Sequence, residues 1–188
     1  MKKEWNEFKQ MHLLKLNEAL NKDEVDKPII KLLNQINSLD DYVTTSSCSG
    51  RVLIVAEGKK RKMSEKLRTW HFLPTYKEFK EECNYWKNYK DNRIIWFKLE
   101  GFILHTIART FEDAKYFFKL MKQLGIKRGG IQPIRNDKFL IEIMGTTHVS
   151  IPIKNVCSFQ ELYNLSKERL KKNWKMIDKI TNKLSELE

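Results

Sequence analysis

The order in which capped helices and short β-rich runs succeed one another constrains this chain's fold more than any other feature. Trp5, Phe8, His12, Leu16 and Leu20 recur at near-helical spacing over residues 4–20. Pro28 stands at the start of a second helix whose buried face is Ile29, Leu32, Leu33 and Ile36. A polar turn then leads into a strand at 51–56, and a short strand is expected around 68–72. Thr75-x-x-Glu78 is a capping box for a helix with Phe79, Cys83 and Trp86 on one side. Runs 94–99 and 102–109 are β-rich and joined tightly at Glu100-Gly101, and Thr110-x-x-Asp113 caps a helix that Gly125 closes. Strands are expected near 126–135, 138–144 and 147–153, before Ser158-x-x-Glu161 opens a last helix over 158–187. This is no regular strand–helix alternation. It predicts an α+β fold, one domain over residues 1–188, with a mixed or largely antiparallel sheet packed by N- and C-terminal helices. No GxGxxG follows the first strand and no GxxxxGK[ST] occurs, so neither a doubly wound Rossmann-type cofactor domain nor a P-loop is expected.

Composition narrows the partners. Charged residues make up 32% of the 188 and the net charge is +12, which favours a polyanion such as nucleic acid. The charge is clustered. Lys59, Lys60, Arg61 and Lys62 share one basic loop (57–67) with Lys66, and Arg68 follows; Lys127, Arg128 and Arg135 add to them. No apolar run approaches the ~18–20 residues of a membrane span, and the N-terminus shows no apolar leader. The three cysteines, Cys48, Cys83 and Cys157, form neither a disulfide framework nor a CxxC pair, which suggests a reducing, cytoplasmic setting and no metal site.

The seven residues Thr45-Ser46-Ser47-Cys48-Ser49-Gly50-Arg51 crowd hydroxyls, a thiol, a glycine and an arginine at the mouth of a strand. Such a turn can offer short donors and backbone N–H groups to one small polar ligand, with Arg51 to fix a carboxylate or phosphate. It can equally be a solvated structural turn. The sequence alone leaves both readings open.

With Thr44 in front of it, this turn resembles the signature of the tRNA wybutosine-synthesizing protein 3 family. Further matches follow in order: Ile36-Asn37 before the turn, Trp70-His71, and the run Phe97 to His105 ending in Phe102-Ile103-Leu104-His105. Then come Gly125 to Ile131, Thr146-Thr147-His148 with Ile151-Pro152, and Asn173 in the last helix. Gly101, Gly129 and Gly145 depart from the residues common there. The likeness runs over about residues 20 to 183.

The resemblance implies an S-adenosylmethionine-dependent methyltransferase acting on ring N4 of a wyosine-type guanosine derivative at position 37 of phenylalanine tRNA. Ser46, Ser47, Cys48, Ser49, Gly50 and Arg51 are then expected to hold the cofactor, or the phosphate beside base 37. His105 is the expected base, with Glu100 as second candidate; Glu100 and Lys98 can also be read as an ion pair. Trp70, His71, Lys98, Arg128, Gly130 and His148 are expected at the anticodon loop, with Trp96 as another stacking ring. Lys59, Lys60, Arg61 and Lys62 would steer phosphate. An in-line methyl transfer needs chiefly positioning, so the lack of an obvious catalytic dyad fits. Two other readings stay open: a non-catalytic module binding structured RNA, and a hydrolase using Ser47 or Cys48 with His105, for which no GxSxG elbow exists.

Overall fold

The computed structural model describes residues 2–60, 63–90, 92–134 and 137–186. The chain divides into two compact units, one formed by Met1–Ser49, Phe102–Thr146 and Trp174–Glu188, the other by Gly50–Gly101 and Thr147–Asn173.

The first unit contains α1 (Lys2–Asn21), α2 (Lys27–Ser38), β1 (Tyr42–Thr44), β5 (Ile103–Ala108), α4 (Phe111–Gln123), β6 (Arg128–Ile134) and β7 (Lys138–Met144). Its four strands form an antiparallel sheet in the order β1-β5-β7-β6. Period-two alternation sorts the side chains of β5 and β7. Leu104, Ala108, Ile141 and Ile143 point into a core with Ile29, Leu32 and Ile36 of α2, Phe117 and Met121 of α4, and Ile177, Ile180 and Leu184 of α5 (Phe159–Ser185). On the opposite face Ile107 packs with Val43, Leu140 and the α1 residues Trp5, Phe8 and Leu13. His105 and Glu142 lie two residues along from Ile107 and Leu140, on that same face.

Local chemistry sets the ends of these elements. Thr110 caps α4 by accepting from the Asp113 N–H at 3.1 Å, and Gly125 at φ +88° ends it. α1 ends in a Schellman arrangement. Asp23 takes φ +53°, its N–H donates to the Leu20 carbonyl, and the Glu24 N–H donates to the Ala19 carbonyl at 3.0 Å.

The second unit contains β2 (Arg51–Glu57), β3 (Glu65–Trp70), α3 (Tyr76–Asn88), β4 (Ile94–Glu100), β8 (Val149–Pro152), a short 3-10 turn (Ile153–Asn155) and the first part of α5. Its antiparallel sheet runs β3-β2-β4-β8. The core is aromatic: Phe79 of α3 meets Phe97 at 5.9 Å, Trp70 at 5.8 Å and Tyr163 at 5.2 Å between ring centres. Thr75 and Glu78 form the expected capping box, and burial pushes the Cys83 thiol up to about 12.

The fold is therefore α+β and largely antiparallel, with two sheets where the element order predicts one. The cause is the join at Gly101-Phe102. β4 and β5 follow each other in sequence without pairing, because β4 has β2 and β8 as partners while β5 has β1 and β7. The strand expected at 68–72 runs over Glu65–Trp70 and stops before His71. β1 has no counterpart in the expected order of elements.

Candidate functional site

The polar turn is built from the first unit's own hydrogen bonds up to Ser49. Asn37, at the end of α2, accepts from the Thr44 N–H at 2.8 Å and donates to the Thr44 hydroxyl at 2.9 Å. The Thr45 N–H donates to the His105 carbonyl, and Cys48 exchanges both backbone bonds with Ile103 at 2.8 and 2.9 Å. Asp26, the residue before α2, accepts from the Ser49 N–H at 2.8 Å and the Ser49 hydroxyl at 2.9 Å; Ser49 is fully buried. The amides of Thr44, Thr45, Cys48 and Ser49 are thus spent inside the protein. These four N–H groups are therefore not among the backbone donors such a turn can offer a ligand: Ser49 and the Cys48 backbone hold its shape.

What the turn presents instead is a chain through His105. The Glu142 carboxylate can only accept, so His105 Nε2 carries the proton and donates to Oε2 at 2.8 Å. In the neutral imidazole Nδ1 then has the lone pair and accepts from the exposed Ser46 hydroxyl at 3.1 Å. The Ser47 hydroxyl accepts from the His105 backbone N–H at 3.2 Å. His105 and Glu142 stand directly opposite in the β5–β7 register, and Gly130 is opposite Glu142 on the other side. Gly129 takes φ +150°, and a Cβ there would collide with the Glu142 carbonyl, so glycine lets β6 approach the strand that holds the carboxylate.

Ser46 also borders a cavity of about 360 Å³. Thr44, Thr45, Ser46 and Ser47 form one wall, α1 offers His12, Lys15, Leu16 and Ala19, and Glu24, Val25 and Leu33 complete it. Burial, reinforced by the Lys15 charge, holds the His12 imidazole below its usual range. Hydroxyls beside apolar walls suit a small zwitterionic or heterocyclic ligand. They do not suit acyl transfer with Ser46, because the Thr45 and Cys48 amides that could stabilise an oxyanion are already donated. Ser46 is the residue whose hydroxyl meets the imidazole, rather than Ser47 or Cys48, the nucleophiles considered for a hydrolase.

Other expected residues fall in the second unit. Arg51 faces Glu100 across the β2–β4 register, and its Nε donates to the carboxylate at 2.7 Å. Glu100 is therefore paired with Arg51; the Lys98–Glu100 ion pair does not form, and Lys98 instead stands 5.7 Å over the Trp96 ring. Trp96 itself donates to Glu57 at 2.6 Å. Gly50 takes φ +101°, and a Cβ there would come within 2.5 Å of Asn173 Nδ2. Trp70 is 8% exposed and packs on Phe79, with Arg68 5.6 Å above it, so it is a core ring. His71 follows the end of β3, half-buried, while His148, Lys59 and Lys60 are exposed. In the first unit Arg128 is exposed and Gly130 half-buried. Arg61, Lys62 and Arg135 lie outside the described residues. Sequence pattern does not point to Glu142, because a lone acid in the apolar run 138–144 reads as a solvent-facing residue until its partner strand is known.

Among the described residues no helix is long and apolar enough to cross a membrane. The model of the family described as Methyltransferase TYW3 matches residues 6–186. A Thermococcus sibiricus protein named tRNA(Phe) 7-((3-amino-3-carboxypropyl)-4-demethylwyosine(37)-N(4))-methyltransferase is 38% identical over 146 residues, covering 77% of this chain and 73% of its own. The Methanocaldococcus jannaschii protein of the same name is 34% identical, covering 96% of this chain and 97% of its own. A solved structure, the PH1069 protein from Pyrococcus horikoshii, matches with TM-score 0.83 at 27% identity over 97% of each chain. With the family model matching almost its whole length, the chain belongs to the Methyltransferase TYW3 family.

Proposed function

We propose that this protein, acting as one functional domain, transfers a methyl group from S-adenosylmethionine to N4 of 7-(3-amino-3-carboxypropyl)-4-demethylwyosine at position 37 in the anticodon loop of tRNA(Phe), in the cytoplasm. The relatives' names support the substrate. The observation on which the chemistry rests is the Ser46–His105–Glu142 chain at the edge of a cavity.

A 4-demethyl ring nitrogen bears hydrogen where the product bears methyl. The transfer therefore forms an N–C bond, breaks an S–C bond and releases one proton. When bound, the sulfonium supplies the activated methyl group. Ser46 and Ser47 are the turn residues whose hydroxyls remain placed to hold polar groups of a ligand. His105 Nδ1, reached through the Ser46 hydroxyl, accepts the proton that N4 loses. Glu142 holds Nε2–H and so keeps Nδ1 unprotonated and facing Ser46. Arg51, Glu100, Lys98, Trp96, Lys59 and Lys60 form the second unit's contribution to holding tRNA, and His71 and His148 of the same unit join them. Arg128 adds a phosphate contact from the first unit.

The test is incubation with methyl-labelled S-adenosylmethionine and tRNA(Phe) carrying the 4-demethyl nucleoside. Label in that nucleoside after digestion is the expected result. Label absent there, with tRNA binding intact, would leave only an RNA-binding module.

A further inference from the structure

We infer that the cavity beside Ser46 is a binding site for an α-aminocarboxylate, the zwitterionic end of a 3-amino-3-carboxypropyl arm. The inference rests on the methyltransferase reading, which involves two molecules with this arm: the acceptor nucleoside and the sulfonium donor.

The walls sort by chemistry. His12, Lys15, Leu16 and Ala19 recur at i, i+3, i+4 and i+7 and so share one face of α1. Leu16 and Ala19, with Val25 and Leu33, provide apolar surface for methylenes. Lys15 and Glu24 bring one positive and one negative charge to the same cavity, and neither has an ion-pair partner among the described residues. Glu24 is not on a free loop. The Schellman end of α1, with Asp23 at φ +53° and the Glu24 N–H on the Ala19 carbonyl, fixes its backbone one turn past Ala19. A carboxylate wants the ammonium of Lys15 and hydroxyl donors; an ammonium wants the Glu24 carboxylate. A ligand with only one charge would leave one of these groups unmatched. At about 360 Å³ the cavity has room for the arm and adjoining atoms, at the small end of ligand sites. Ser46, which borders it, is the residue whose hydroxyl meets the His105 imidazole, so an arm seated here would bring its parent molecule to the proton acceptor.

Two ligand pairs isolate the arm. S-adenosylhomocysteine and 5′-methylthioadenosine share adenosine and sulfur, and only the first has the aminocarboxylate. tRNA(Phe) with the arm-bearing 4-demethyl nucleoside and tRNA(Phe) with plain 4-demethylwyosine form the second pair. Dissociation constants are measured by calorimetry for the wild-type protein and for Lys15→Gln and Glu24→Gln, both exposed positions. The wild type should favour the arm-bearing member of one pair, and each variant should cut that preference about tenfold. A reduction confined to the nucleoside pair assigns the site to the donor; one confined to the tRNA pair assigns it to the acceptor. No preference in the wild type, or preferences unchanged in both variants, overturns the site. Binding needs no turnover, so this result stands apart from whether methyl transfer is seen.

Discussion

Each sheet places a basic side chain directly opposite an acidic one across two antiparallel strands: His105 and Glu142 on β5 and β7, Arg51 and Glu100 on β2 and β4. Their exposures hardly differ, 22% and 33% for the side chains of the first pair against 26% and 31% for the second. Nor do their lengths, 2.8 and 2.7 Å. Burial therefore does not tell them apart; proton chemistry does. A guanidinium is always charged and has no lone pair to offer, so Arg51–Glu100 can fix shape and present charge. An imidazole can be loaded with a proton, and the Ser46 hydroxyl gives His105 a route for one. The same cross-strand position thus carries two chemistries, and only the His–Glu version has a lone pair with which to accept a proton.

The largest effects should separate the pairs. His105→Ala is expected to lower kcat by about 10²–10⁴-fold with little change in KM for tRNA. Glu142→Gln should approach that decrease, because the neutral amide no longer stabilises a protonated His105 and can donate to Nε2 as readily as accept from it, so it no longer holds one tautomer. Glu100→Gln should act mainly on KM. Single-turnover methyl transfer measured for all three decides it. A kcat decrease for Glu100→Gln equal to that for Glu142→Gln would erase the difference between the two pairs.

Next in size are the two glycines beside the pairs. Gly129→Ala and Gly50→Ala should each cost about 1–3 kcal/mol in denaturant unfolding, since both backbones sit at positive φ and both new Cβ atoms meet neighbours. They should differ in function. The obstacle at Gly129 is the backbone of Glu142, so kcat should fall more than stability explains. The obstacles at Gly50 are the Asn173 amide at 2.5 Å and the Glu100 carbonyl at 3.1 Å, neither of them at the His105–Glu142 pair, and stability should account for the whole decrease.

Helices were the legible part of this fold. Thr75, Thr110, Ser158 and Gly125 signal their ends locally, and each does in the structure what its type implies. Pairing was not legible. Which strand lies beside β4 depends on contacts far apart in sequence, so the tight join before Phe102 reads as continuity within one sheet. β1 is three residues long and its register comes from Asn37 and β5, not from any alternation of its own. The turn's importance could be read from its residue types, but not the destination of its donors: Asp26 is 23 residues from Ser49 in sequence. Glu142 was invisible for the same reason.

A smaller effect tests the second unit's charge. Lys59→Ala with Lys60→Ala should weaken tRNA binding about tenfold or less. It should also lower the slope of log affinity against log salt by about 0.7–0.9 for each phosphate that is no longer neutralised. His105→Ala should leave that slope unchanged. A slope altered equally by both would mean that the two regions share one electrostatic task.

The smallest effect concerns His12, on the cavity wall formed by α1. Burial, then the Lys15 charge, holds the folded imidazole below its usual range. Once unfolded, His12 takes up a proton as pH falls below about 6.5, while the folded protein resists until lower pH. In that window the unfolded state binds more protons, so stability is full above it and declines as pH drops through it. Melting temperatures between about pH 5 and 8 should fall at the acid end for the wild type and less for His12→Asn. Because His12 is only partly buried, the change should be small. If His12→Asn keeps the wild-type curve, the acid sensitivity does not come from His12.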